Sequence, residues 1–233
     1  MSLATTKAIA LSGLNGELVT VEVDIADGLP GYSLLGLPDA ALSESRDRVR
    51  AAVVNTGLHW PNKKVTIALL PAWLPKAGSG FDLPIAIGIL AAQQMISGTE
   101  DLLFVGELSL DGKLRQTRGV LPSLICAYRN GITRAVIPFA NMAEAKLIPE
   151  MEIFSFASLK DLVHWMQTGE ICEQEELPIE IETLDRNLDF ADVAGQVAAR
   201  RAAEISAAGA HNLLMVGPPG VGKTMIAERI PSI

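Results

Sequence analysis

The chain has 233 residues, 49% of them hydrophobic, and a formal net charge of -8. A hydrophobic share of that size, with 20 glycines and 13 prolines, excludes general disorder and gives material for one or two packed domains. Taken whole, the charge argues against a generally basic nucleic-acid binder.

Cys126 and Cys172 form no metal-ligand or redox motif, and no signal-like leader or framework of bridges is present, which points to a reducing, cytoplasmic setting. The most apolar stretch, 83–96, is too short to span a bilayer and is interrupted by Pro84, Gln93 and Gln94, so no membrane segment is expected. The charge itself is unevenly placed. Between positions 170 and 189 stand eight acidic residues (Glu170, Glu173, Glu175, Glu176, Glu180, Glu182, Asp185 and Asp189) against Arg186 alone, a local net of -7 that leaves about -1 for the rest. With Pro178 inside it and little apolar periodicity, this run reads as a solvated linker between 1–169 and 190–233.

In chain order, β-rich runs at 7–12, 18–25 and 32–37 predict strands that pair as neighbours, broken by Asn15-Gly16 and by the sequence GLPG at 28–31. Residues 39–55 predict one helix with Ala41, Leu42, Val49, Val53 and Val54 on its apolar face and Arg46, Arg48 and Arg50 mostly on the other, stopped by Gly57. KVTIALLP then reads as a buried strand and FDLPIAIGILAAQQMI as a core helix. LLFVGELSLDGKLRQ reads as two strands folded about Asp111-Gly112. A helix near 120–130, the strands RAVIP and EIFSF and the helix LKDLVHWMQTG follow. This order predicts an α+β domain, a mixed sheet covered by helices.

The segments LPKAGSGFDLP and GELSLDGKLRQTRGVLPSLICAYRNGI resemble, in the same order, the proteolytic domain of Lon-type proteases. The resemblance implies the Lon protease-like fold, of the ribosomal protein domain 2-like kind, and a serine-lysine dyad. Matching Pro75-Lys76 to the family's loop puts Gly80 at the serine position, with Ser79 one residue early, and matching Gly106-Glu107 puts Leu121 at the lysine position. Leucine cannot accept a proton, and a serine hydroxyl is a poor nucleophile without a base in reach, so an inactive protease fold is expected. Ser79 activated by Lys76 is the alternative, with Lys76 more simply read as an exposed charge. His59, His164 and His211 stand singly and read as structural or surface residues.

Near the other end, Gly217, Pro218, Pro219, Gly220, Val221, Gly222, Lys223 and Thr224 fit the phosphate-loop pattern in full, after the strand-like NLLMVG and before the helix-starting MIAERI. Glycines let backbone N–H groups surround phosphates, Lys223 reaches the terminal phosphates of ATP, and the Thr224 hydroxyl is suited to ligate Mg2+. Hydrolysis further requires an acidic magnesium motif and a transition-state cation, and the sheet of such a domain is built from strands after the loop. The chain therefore reads as the front portion of a longer ATPase: residues 190–233 begin an α/β P-loop AAA+ domain, are expected to bury no core of their own, and by themselves to bind ATP weakly.

DFADVAGQVAARRAAEISAAGAHNLLMVGPPGVGKT and GYSLLGLPDAALSESRDRVRAAV closely resemble the magnesium-chelatase-like AAA+ proteins called ComM or YifB. That resemblance implies self-association into a hexameric ring and, for the ComM branch, DNA branch migration during natural transformation. Arg46, Arg48, Arg50, Lys63 and Lys64 are candidates for phosphate contacts with DNA, against the plainer reading of a solvated helix face and turn. A chelatase-type motor, an active protease and a bare oligomerisation module are the competing readings.

Overall fold

A computed structural model describes residues 2–171 and 188–233, and the chain divides into two compact units, Met1–Ile179 and Glu180–Ile233. Most of the acidic run, with Cys172, lies outside the described residues.

In the first unit, β1 (Ser2–Ser12) and β2 (Asn15–Ala26) form a long antiparallel hairpin whose two-residue turn is Gly13-Leu14, with Gly13 at φ 62°; the predicted break at Asn15-Gly16 falls two residues late, inside β2, where Asn15 pairs with Ser12 and Gly16 with Leu11. The third predicted strand does not join its sequence neighbour. β3 (Gly31–Leu35) runs parallel to β4 (Lys64–Leu70), which itself pairs antiparallel with β2. Beyond β1, the strands β5 (Leu102–Phe104), β8 (Arg134–Pro138) and β9 (Glu152–Phe156) add in parallel, giving the order β3-β4-β2-β1-β5-β8-β9. The short β6 (Glu107–Leu108) and β7 (Leu114–Arg115) make a separate ribbon about Asp111-Gly112, so the stretch read as two strands supplies three.

Strand alternation decides which side each residue serves. Ala8 and Ala10 of β1, with Leu102 and Phe104 of β5, face one cluster, while Ile9 and Leu103 face another. Helices α2 (Ser45–Asn55), α3 (Asp82–Ala92) and α6 (Leu159–Thr168) pack into the first cluster, and α4 (Val120–Arg129) with α5 (Met142–Ala145) into the second. The sheet is thus covered on both faces, a mixed α+β architecture.

The predicted helix over 39–55 breaks at Glu44 into α1 (Ala40–Ser43) and α2. Asp39 caps α1, its Oδ1 accepting from Leu42 N at 2.7 Å. The buried stripe is Leu42, Ser45, Val49, Ala52 and Val53, whereas Ala41 and Val54 are exposed. Helix α3 was expected in the core, and ten of its eleven residues are buried. Its close approach to the sheet depends on Gly88, where a Cβ would lie 2.7 Å from Val23 Cγ2.

In the second unit, Phe190, Val193, Ala203 and Ile226 form a small buried cluster with Leu213, Met215 and Ile230 against it. Residues 188–233 thus do bury a core, contrary to the sequence expectation, although a small one. α7 (Val197–Gly209) and α8 (Lys223–Ala227) frame the segment that carries the glycine-rich loop. The run NLLMVG is extended but not part of a strand, because no strand stands beside it among the described residues of this unit. Leu213 and Met215 turn to the cluster, while Leu214 and Val216 are 85% and 87% exposed.

No helix among the described residues is long and apolar enough to cross a membrane.

Candidate functional site

The loop at 217–224 is built from the backbone first. Gly220 and Gly222 hold φ of 82° and 85°, on either side of Val221. A Cβ at Gly220 would meet nothing within 4 Å, so glycine is required there by conformation and not by space. Left-handed residues set into such a turn make a concavity of N–H groups suited to an anion. Lys223, half-buried at the start of α8, turns its ammonium back onto the loop, donating to Gly217 O and Pro218 O at 2.8 Å each. Those carbonyls are neutral acceptors, and a phosphate oxygen in reach would be the stronger partner. Thr224 is exposed, with its hydroxyl open to a cation held by such a phosphate. The donor set and the glycine conformations therefore fit a nucleoside triphosphate with Mg2+.

The approach to the loop is held by its own bonds. Asp189 and Asp192 close a capping box over the short 3-10 turn Phe190–Asp192. Arg200 donates to Val193 O at 3.1 Å and lies 5.7 Å from the Phe190 ring centroid. Gln196, just before α7, is left-handed at φ 47°, and its side-chain amide donates to Val221 O at 3.3 Å. Nothing in the sequence signalled that contact, because it joins residues 25 positions apart.

A second candidate lies in the first unit, where residues 77–81 and 116–118 wall a cleft of about 340 Å³ floored by Ile9, Leu11, Phe104 and Val105. Ser79 and Gly80 line it, at the 3-10 turn that leads into α3. The Ser79 hydroxyl donates to Glu107 Oε2 in a short hydrogen bond. Glu107 N is held in turn, donating to Thr117 Oγ1 at 3.1 Å. Buried Asn141 fixes Thr117 from both sides, accepting from Thr117 N at 3.0 Å and donating to Thr117 O at 2.9 Å. Leu121 is partly buried against the second cluster, with its backbone N–H on Glu144 Oε2 at 3.3 Å.

Lys76 corrects the sequence reading. It is not an exposed charge but 1% exposed, and its ammonium donates to Leu69 O at 2.9 Å and to Pro71 O. Burial lowers its pKa from the ordinary lysine value. The side chain ties the turn after β4 and is not bonded to Ser79. Glu107, the group that does touch Ser79, was missed because its partner is 28 residues away in sequence.

The five basic candidates for DNA phosphates also separate. Arg48 is committed to Asp82, a fully buried carboxylate, through Nε at 2.8 Å and Nη2 at 2.9 Å, with a further bond to Ala41 O at 3.0 Å. That carboxylate holds Arg48 above its ordinary pKa. Arg46 lies 5.7 Å from the Tyr32 ring centroid and Lys63 pairs with exposed Asp27 at 2.7 Å, which leaves Arg50 and Lys64 open to solvent. His59, His164 and His211 are all exposed, and no cluster of three metal-ligating side chains occurs among the described residues.

Comparison with known proteins follows this division. Residues 21–141 match the family described as subunit ChlI of Mg-chelatase, and residues 189–233 match the family described as magnesium chelatase, subunit ChlI. An uncharacterized protein of Mycobacterium tuberculosis is 46% identical over 240 residues, covering 100% of this chain and 46% of the relative. Competence protein ComM of Haemophilus influenzae is 40% identical over 244 residues, covering 100% of this chain and 47% of that protein. YifB of Escherichia coli is 41% identical over 234 residues, covering 99% of this chain and 46% of that protein. A more distant likeness, 26% over 149 residues, reaches Lon protease of Solibacter usitatus, with 61% of this chain and 18% of that one covered. The chain thus spans about half the length of the curated relatives it matches. With one of these profiles alone covering more than half of its residues, the chain belongs to the magnesium-chelatase-like ComM/YifB family.

Proposed function

We propose that residues 217–224 hold the phosphates of ATP, and that the protein is a AAA+ ATPase working as a hexameric ring on DNA. The observation that carries the nucleotide reading is the loop itself: left-handed Gly220 and Gly222 with the Lys223 ammonium resting on two loop carbonyls. Lys223 exchanges those carbonyls for the terminal phosphates, the Thr224 hydroxyl takes Mg2+, and the backbone N–H groups at 220–222 surround the anion. Bound ATP supplies the energy of phosphoanhydride hydrolysis. In the full-length protein, Lys223→Ala is expected to weaken Mg-ATP binding roughly 10- to 100-fold, the worth of a hydrogen bond to a charged group. Equal affinity in calorimetry would sink the reading.

The DNA reading draws on the likeness to a competence protein. It requires the ATPase of the full-length protein to rise with branched or single-stranded DNA, and to lose that response as salt increases. An ATPase indifferent to both would overturn it. The descriptions of the two matching families favour a second reading, a chelatase-type remodelling motor; ATP-dependent magnesium insertion into a porphyrin would select it.

The remaining parts take complementary roles in this proposal. Residues 1–169 are a Lon protease-like domain without proteolytic activity, 170–189 a linker and 190–233 the beginning of the AAA+ domain. Support for inactivity comes from Gly80 and Leu121 at the dyad positions and from Lys76, whose ammonium is spent on Leu69 O and Pro71 O. A fluorophosphonate probe is expected to leave Ser79 unlabelled and casein to remain intact; labelling at Ser79 would restore a serine enzyme. The protein is assigned to the cytoplasm on its cysteine usage.

A further inference from the structure

Among the described residues, Gln196 is one of four non-glycine residues at positive φ, with Leu37, Gln94 and Ala210. Glutamine has no intrinsic preference for that region, where glycine or asparagine would be accommodated more readily. The backbone there is fixed by the first turn of α7, since Arg200 N donates to Gln196 O at 2.9 Å. What the conformation achieves is visible at the other end of the side chain, where the amide reaches Val221 O at 3.3 Å, between the two left-handed glycines of the loop. The Val221–Gly222 peptide is planar and trans, so its C=O and N–H point to opposite sides. A carbonyl held toward Gln196 therefore sets the direction of the Gly222 N–H, away from Gln196.

Two side chains thus grip the loop in different ways. Lys223 bonds to carbonyls that it must leave before it can reach an anion. Gln196 bonds to a carbonyl on a peptide whose N–H end is the part an anion would use, so its grip persists when Lys223 moves.

We propose that Gln196 is a positioning residue of the phosphate-binding loop: its amide orients the Val221–Gly222 peptide so that the Gly222 N–H is presented to the phosphates of a nucleotide. The proposal rests on the nucleotide reading given above. Its test uses two variants of the full-length protein. Gln196→Gly accepts the left-handed backbone but deletes the amide, and Gln196→Glu keeps the length but replaces the donor with an acceptor. Without nucleotide, amide hydrogen exchange at Gly220, Val221 and Gly222 is expected to accelerate about three- to tenfold in both, the range of one lost hydrogen bond. The dissociation constant for Mg-ATP is expected to rise by a similar factor, while the urea midpoint of Gln196→Gly stays equal to or above that of the parent. Unchanged exchange in both variants would overturn the proposal, as would an affinity loss seen only together with a lowered midpoint. Accelerated exchange in a protein that binds no ATP would keep Gln196 as the loop's anchor while the nucleotide reading fails.

Discussion

Two lysines in this chain make the same local bonds to opposite ends. Lys76 and Lys223 each donate to two main-chain carbonyls five to seven residues earlier in the chain. Lys76 is 1% exposed, so any departure from Leu69 O and Pro71 O would leave a charge and two carbonyls stranded in the interior. Lys223 is half-buried at the surface, where water can replace either carbonyl and the ammonium can swing to a better partner. The difference lies in burial and not in hydrogen-bond chemistry. The same contrast runs through the first unit itself, which stores charge inside, in Lys76 and in the Arg48–Asp82 pair, and keeps other pairs outside, as in Lys63–Asp27 at 2.7 Å.

The sharpest way to break this comparison is at Asp82, which is fully buried and held by two guanidinium bonds. Removing one partner of a buried pair leaves the other uncompensated, so Asp82→Ala is expected to destabilise the first unit by about 3–5 kcal/mol in urea denaturation. A cost near zero would mean that the interior is wet and the contrast false. Next in size is Lys76→Met, which keeps the apolar stem but strands two carbonyls. It is expected to cost about 1–3 kcal/mol with nucleotide affinity unchanged.

A smaller effect is expected at Tyr32, whose hydroxyl is buried without a hydrogen-bond partner among the described residues. Burial pushes its pKa from 10.0 up to about 12. The folded state keeps a proton that the unfolded state releases, so this residue's contribution to stability is complete below pH 10 and is lost as pH rises toward 12. Tyr32→Phe should flatten that alkaline loss, remove a phenolate absorbance step near pH 12 and change neutral-pH stability by less than about 1 kcal/mol. Smallest of all is the stability change for Lys223→Met, within about 0.5 kcal/mol. A large loss there would make Lys223 as structural as Lys76 and erase the comparison.

Legibility followed sequence separation. Local signals are the legible ones: a tight turn between β1 and β2, placed two residues late at Asn15-Gly16, the core helix α3, the ends of α4 and α6, and the glycine pattern at 217–224 are all readable, because turn chemistry and periodicity act over a few residues. Pairings across the fold were not. From its sequence β3 reads as a neighbour of β2 but it lies beside β4, since nothing in a strand's own residues names its partner. Lys76 looked solvent-facing between Pro75 and Ala77, and only the turn after β4 enclosing its ammonium made it a core residue.

By itself, the sequence determined the kinds of elements, the family and the position of the glycine-rich loop, all of which are written in short patterns. Tertiary structure alone decided which charges are buried, that Ser79 meets Glu107, that Arg48 is taken by Asp82 and that Gln196 reaches Val221. The physical reason is that those three pairings join residues from 25 to 34 positions apart, where one-dimensional spacing carries no distance, and burial depends on which elements close over a side chain.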